Sequence, residues 1–191
     1  MIADLFRRGG VNRANLKMRG ADVQYRFAVD FLAAINGAKT QITLPDGSAL
    51  EVALPPGIRE GQMLRLRGKG GAGRNGGSPG DALVEIEVRP DAVFVRKGDD
   101  IHLDLAVSLS DAVLGGKITV PTPTGAVQMS VPRWSNTGAV LRLKGKGVAG
   151  RGDEYVTLKI RLPDKPDAEL EKFMAQWGGA RAGAPGAATE A

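Results

Sequence analysis

Two stretches of this 191-residue sequence carry the glycine spacing of a nucleotide-binding loop: LRLRGKGGAGRNGGSPGD, residues 64 to 81, with Gly68, Gly70 and Gly73, and LRLKGKGVAGRGD, residues 141 to 153, with Gly145, Gly147 and Gly150. Such a loop holds phosphate because its glycines let the backbone come close while the N-terminus of a following helix faces the charge. Neither copy meets that requirement. The first runs on as RNGGSPGD, which is turn chemistry, and then as DALVEIEVRP, which alternates as a strand does. No Lys-Ser or Lys-Thr clamp follows either loop. The only histidine, His102, lies in an alternating run on the face opposite Ile101 and Leu103, where an exposed or paired structural role is expected. Ser108, Ser110 and Asp111 read as a strand end and a capped turn rather than as a nucleophile with its orienting acid. With no cysteine and one histidine, neither a thiolate zinc site nor a histidine-rich metal centre is available. The sequence therefore predicts no catalytic residues, no metal and no cofactor.

The glycine loops gain meaning from the elements around them. Setting Asp22-Val23 over Asp100-Ile101, an offset of 100 − 22 = 78, makes Val23, Tyr25, Phe27, Val29 and Phe31 coincide with Ile101, Leu103, Leu105, Val107 and Leu109. That period of two marks a strand with one buried face. Each strand passes into a short helical turn ending at Gly37 or Gly115, then into a hairpin, QITLPDGSALEVALPPG or TVPTPTGAVQMSVPRW. The offset is 142 − 65 = 77 at Arg65 and Arg142, and after the glycine turns it is 153 − 81 = 72, where DALVEIEV and DEYVTLKI close the copies. The chain thus reads as mostly β, two β-sandwiches in tandem over 22–99 and 100–163, with RPDAVFVRKGDD as a short linker.

Residues 164–178 read as an amphipathic helix capped by Asp164 or Asp167 and closed by Gly178. Leu170, Phe173, Met174 and Trp177 fall at i, i+3, i+4 and i+7, so one face needs a cover, supplied either by its own sandwich or by a second subunit. Residues 179–191 have too little apolar content to fold and read as a flexible tail. The formal charge of +5 and the pI near 9.7 permit an acidic partner without requiring one. The basic residues around the glycine turns read as the solvated side of the strands that carry Leu64, Leu66, Leu141 and Leu143. MIADLFRRGG lacks the apolar core of a signal peptide, and no run approaches a membrane span, so a cytoplasmic protein without membrane contact is expected.

Taken together, LRLRGKG and LRLKGKG, the intervening F-V-R-K-G-D-D-I, the strand G-D-A-L-V-E-I-E-V and the terminal helix resemble the C-terminal client-binding region of DnaJ-type co-chaperones, from about Ala21 to Trp177. The family's zinc-finger insertion of four C-x-x-C-x-G-x-G units is missing, which resembles the class without zinc that includes the curved-DNA-binding relatives. The His-Pro-Asp loop of a J-domain is also missing, since Leu103 follows His102, and 1–21 looks like a remnant of the Gly/Phe-rich linker.

The resemblance implies a shallow groove on the first sandwich that takes unfolded client segments, lined here by Tyr25, Phe27, Ile42, Leu44 and Phe94. From residue type alone these five would more often be core. Copy one is aromatic at Tyr25 and Phe27 where copy two has Leu103 and Leu105, and Tyr suits a half-wet surface. The resemblance further implies a homodimer through Leu170, Phe173, Met174 and Trp177, and handover of clients to a DnaK-type chaperone through the absent J-domain and the first sandwich. DNA binding is the less favoured alternative, because no helix-turn-helix, finger or aromatic-basic platform supports specific readout.

Overall fold

The computed structural model describes residues 16–43 and 49–177. The expected end of the first hairpin turn with Leu44, the remnant over 1–15, the closing Gly178 and the tail over 179–191 lie outside the described residues.

The first copy contains β1 (Val23–Val29), α1 (Phe31–Asn36), β2 (Ala38–Thr43), β3 (Ala49–Leu54), β4 (Met63–Leu66) and β5 (Ala82–Val88). The second contains β6 (Val95–Lys97), β7 (Asp100–Ser108), α2 (Leu109–Leu114), β8 (Gly116–Val120), β9 (Val127–Val131), β10 (Val140–Leu143) and β11 (Glu154–Arg161), and α3 (Ala168–Gln176) follows. The first and last long strands of each copy lie side by side and parallel, Tyr25 beside Val84 and Leu103 beside Val156, which reproduces the offsets of 78 and 72 read from the sequence. The sheets run β1-β5-β4 and β10-β11-β7-β6, and each has its hairpin, β2-β3 or β8-β9, as a separate two-stranded layer. Inward residues of the two layers make the cores: Val29, Ile42, Val52, Leu54, Val84 and Ile86 belong to the first, and Ile101, Leu103, Val107, Val120, Val156 and Leu158 to the second.

Three sequence expectations shift. Phe31 and Leu109, placed at the ends of alternating strands, begin α1 and α2 instead. The extended Ser108 caps α2 by accepting a hydrogen bond from the Asp111 amide at 3.0 Å, so the chain turns into a helix one residue before the alternation ends. The segment RPDAVFVRKGDD is no free linker: Val95–Lys97 pairs antiparallel with the start of β7, although a boundary at residue 99 puts it in the first sandwich. Its Phe94 is 7% exposed, stacked on Phe31 at 6.3 Å, and both belong to the second core.

The junction is polar as well as apolar. From β6, the largely buried Arg96 donates to Ile58 O at 2.9 Å and Gly57 O at 3.2 Å in the first copy, and to Gly98 O at 2.8 Å in its own. The Asn36 side chain donates to Pro123 O, and α1 packs on the turn Val148–Gly150.

Candidate functional site

The glycine loops are knitted to carboxylates of the chain itself. Asp81 accepts from the Gly68 amide at 2.8 Å and from Arg65 Nε at 2.7 Å, and its own amide donates to Asp22 Oδ1. In the second copy Asp153 accepts from the Gly145 amide at 2.7 Å, pairs with Arg142 and donates its amide to Asp100 Oδ1. The Gly68 and Gly145 amides are thus already engaged by the chain's own carboxylates. Gly68 and Gly145 hold φ of 69° and 70°, and a Cβ on Gly70 or Gly147 would come within 2.5 Å of Asp81 O or 2.4 Å of Asp99 O. The hydrogen bond from Gly68, then the one from Arg65, holds the Asp81 carboxyl below the usual aspartate range. His102 stacks on Tyr155 at 5.1 Å, and Ser108 is engaged as the cap of α2. No group of metal-ligating residues occurs among the described residues.

The apolar site is built on β1. Because β1 alternates, Tyr25 and Phe27 share the inward face with Val29, and both pack on the first core while staying half-buried. Leu50 of β3 and Leu64 and Leu66 of β4 are half-buried against the same cluster, so water reaches this core at these five residues, its apolar mouth. Ile42 belongs to this cluster but is only 4% exposed, so it is sealed in the core and does not line the mouth. Its burial follows from its inward position on β2, paired with Leu50 on β3. Phe94 is a second correction. It packs with the second core through Phe31 and lines, with Ile35, Ile58 and Val88, a hollow of about 490 Å³ at the junction. The structure therefore brings Tyr25, Phe27 and Ile42 together and places Phe94 in another cluster.

On the second copy, α3 begins after Asp167, whose Oδ1 accepts from the amides of Glu169 and Leu170. Leu170 is half-buried, whereas Phe173 and Trp177, stacked at 6.4 Å, are 59% and 51% exposed and Met174 is also exposed. These four face a hollow of about 500 Å³ whose other wall includes Leu109 and Val113 of α2 and the exposed Trp134. Sequence reasoning missed Trp134, which lies just beyond β9 and has no periodicity to mark it.

Glu154 was also missed. It is fully buried at the head of β11, paired with Ile101 and Leu143, and neither carboxyl oxygen has a hydrogen-bond partner among the described residues. Burial pushes its pKa up to about 7, opposed by Lys146. The repeat held a signal for it, because the equivalent residue, at an offset of 154 − 82 = 72, is Ala82.

Residues 23–163 match the family model described as the DnaJ C terminal domain. The chain belongs to the DnaJ C-terminal domain family. A curved DNA-binding protein of Coxiella burnetii is 36% identical over 177 residues, which covers 84% of this chain and 56% of that protein. A chaperone protein DnaJ of Chlorobium luteolum is 44% identical over 119 residues, 60% of this chain and 31% of the relative, and one of Cupriavidus taiwanensis is 40% identical over 139 residues, 70% and 37%. The chain thus spans between about a third and just over half of the length of these relatives. Among the described residues of this DnaJ-family chain, no helix is long and apolar enough to cross a membrane.

Proposed function

We propose that the chain is the client-holding part of a DnaJ-type co-chaperone, a binding module rather than an enzyme, and that unfolded polypeptides lie along β1 with large side chains in the mouth beside Tyr25 and Phe27. One observation carries this reading: Tyr25 is half-buried where its counterpart in the second sandwich, Leu103, is 3% exposed. Among the described residues β1 also has a strand on one edge only, β5, so a client could add to the other edge by main-chain hydrogen bonds that ignore its sequence. Each large apolar group seated in the mouth would contribute roughly 1.5–3 kcal/mol before ordering costs. Such weak single contacts favour two mouths on one client. We assign the pairing of protomers to the exposed face of α3, and handover of the client to a DnaK-type chaperone.

The test replaces Tyr25 and Phe27 by Ser in the full chain and follows light scattering of denatured luciferase diluted from guanidinium. Protection should fall at least fivefold while circular dichroism keeps the β signature. Undiminished protection by a folded variant would show that the mouth is not where clients bind. For the dimer, Phe173→Ser with Trp177→Ser should halve the mass seen by light scattering, and an unchanged mass would remove α3 as the interface.

A second reading, contact with duplex DNA, is favoured by the charge of the first glycine loop and the segment before β1. Residues 16–22 and 64–81 hold Lys17, Arg19, Arg65, Arg67, Lys69 and Arg74 against Asp22 and Asp81, 6 − 2 = +4 of a chain total of +5. A relative named a curved DNA-binding protein supports it.

A further inference from the structure

The first glycine loop is longer than the second by 77 − 72 = 5 residues, and the extra length lies between Gly73 and Gly80, the counterparts of Gly150 and Gly152. It makes a seat for the segment before β1. Met18 and Arg74 exchange both backbone hydrogen bonds, the Gly20 amide donates to Ser78 O at 2.9 Å, and Asn75 Nδ2 donates to Leu16 O at 3.2 Å. Arg74, Asn75 and Ser78 all belong to the extra length. The fit is close: a Cβ on Gly77 would come within 2.0 Å of Met18 O, and one on Gly20 within 1.8 Å of Gly71 O. The second copy lacks this seat and sends the equivalent segment elsewhere. Going back from β1 and β7 the copies first agree, since Val148 donates to Asp99 O as Gly71 does to Ala21 O, both at 2.9 Å. Then they part. Gly98, with φ of 67°, turns β6 onto the edge of β7, whereas Gly20, its counterpart at 98 − 20 = 78, holds no positive φ and leaves the chain on the loop.

Residues 16–20 nevertheless carry the pattern for the other place. At the same offset Lys17, Met18 and Arg19 would face Gln24, Val23 and Asp22 on the edge of β1, which has no strand among the described residues. Arg96, opposite Ile101, is the residue of β6 that turns inward, so Met18 would lie over half-buried Val23, next to Tyr25. On the loop Met18 is instead 56% exposed. Hydrogen bonds and close glycine packing thus favour the loop, while burial of Met18, Val23 and Tyr25 favours the edge of β1.

We propose that residues 16–20 are a strap with two seats, the first glycine loop and the edge of β1, and that the longer loop keeps the client mouth open by holding the strap off β1. The proposal rests on the reading of that mouth as the client site and adds its regulation. Strap and client compete for one strand edge, so whatever loosens the strap from the loop lowers client holding.

The experiment combines hydrogen–deuterium exchange, read by NMR, with the luciferase assay on the full chain. Gly77 holds no positive φ, so Gly77→Val strains no turn but fills the seat at Met18. This change should slow exchange of the β1 amides on the free edge roughly tenfold and weaken luciferase protection about threefold. Adding Met18→Asp, which puts a charge where the strap would be buried, should reverse both. Deletion of residues 74–78, which gives the loop the length of its counterpart, should act as Gly77→Val does, and takes its place if the valine variant does not fold. Amides of β1 that exchange no more slowly in a folded variant would overturn the proposal. So would lost protection that Met18→Asp does not restore, because the damage would then lie in the mouth itself. If exchange slows and recovers as expected while the wild type never protects luciferase, the strap stands and the client reading falls.

Discussion

The two sandwiches share one strand order and one register, yet the second is closed where the first is open. In the second, Ile101 and Leu103 are sealed on the first half of β7. In the first, Val23 and Tyr25 at the equivalent positions of β1 stay half-buried. The cause lies outside the repeated strands. Val95–Lys97 adds a strand to the start of β7, and Phe94 with Phe31 and Ile35 of α1 extends the second core. At an offset of 95 − 17 = 78 the first copy has Lys17, Met18 and Arg19, and this segment runs onto the glycine loop instead of pairing with β1. Equivalent sequence thus gives a finished core in one copy and an apolar mouth in the other, and the difference comes from where the preceding segment goes.

The comparison breaks most severely at Phe31. Phe31→Ala removes a buried ring from the second core by a change in the first copy, and should cost about 3 kcal/mol or more in urea unfolding. A loss below about 1 kcal/mol would mean that the junction does not belong to the second core.

Glu154 should have nearly as large an effect. Its folded-state pKa of about 7 lies above the ordinary 4.5, so the unfolded chain gives up this proton first. Stability is then fully present below about pH 4.5, declines between 4.5 and 7 and is flat above, a loss of about 3 kcal/mol at 1.36 kcal/mol per pH unit. Glu154→Gln should flatten that window in a pH series of unfolding curves. An identical profile for both proteins would show that the acid finds water or a partner.

The carboxylates under the glycine turns sharpen the comparison further. Asp81 has Gly68, Arg65 and Arg19 as partners, whereas Asp153 has Gly145 and Arg142. Asp81→Asn should therefore lower Tm more than Asp153→Asn. Because its pKa is depressed, the stability Asp81 adds is present above about pH 3.8 and is lost as pH falls through the lower folded value. Equal Tm losses would make the extra arginine irrelevant. The smallest effect on stability is expected of Tyr25→Leu with Phe27→Leu, which gives copy one the residues of copy two, within about 1.5 kcal/mol. Client protection should nevertheless weaken, and full protection would show that the aromatic character at these positions is immaterial.

Much of the architecture was legible in the residues. The alternation of Val23 to Val29 and of Ile101 to Val107 and the recurring spacing of the runs around the glycine loops marked two copies of one arrangement, because backbone period is a local property. Of the proposed client site, Tyr25 and Phe27 fell on an accessible surface, while Ile42 and Phe94 did not. A family groove carried over by position specifies residue types, and depth beneath a surface is set by residues far away in sequence. Phe94 is the plainest case, since its ring finds Phe31, 63 residues earlier (94 − 31 = 63), through the packing of α1 against the second copy.

By itself the sequence determined that this is a duplicated β protein with two glycine-rich turns, with no thiol and one histidine, and with a greasy final helix. Periodicity and residue chemistry suffice for those features, since each depends on neighbours within a few positions. Only the tertiary structure decided which inward residues were sealed, which stayed half in water, which cations kept no partner, and that Glu154 sits unpaired in a core. Burial and charge compensation are sums over every element that packs nearby, and no local pattern in the chain records them.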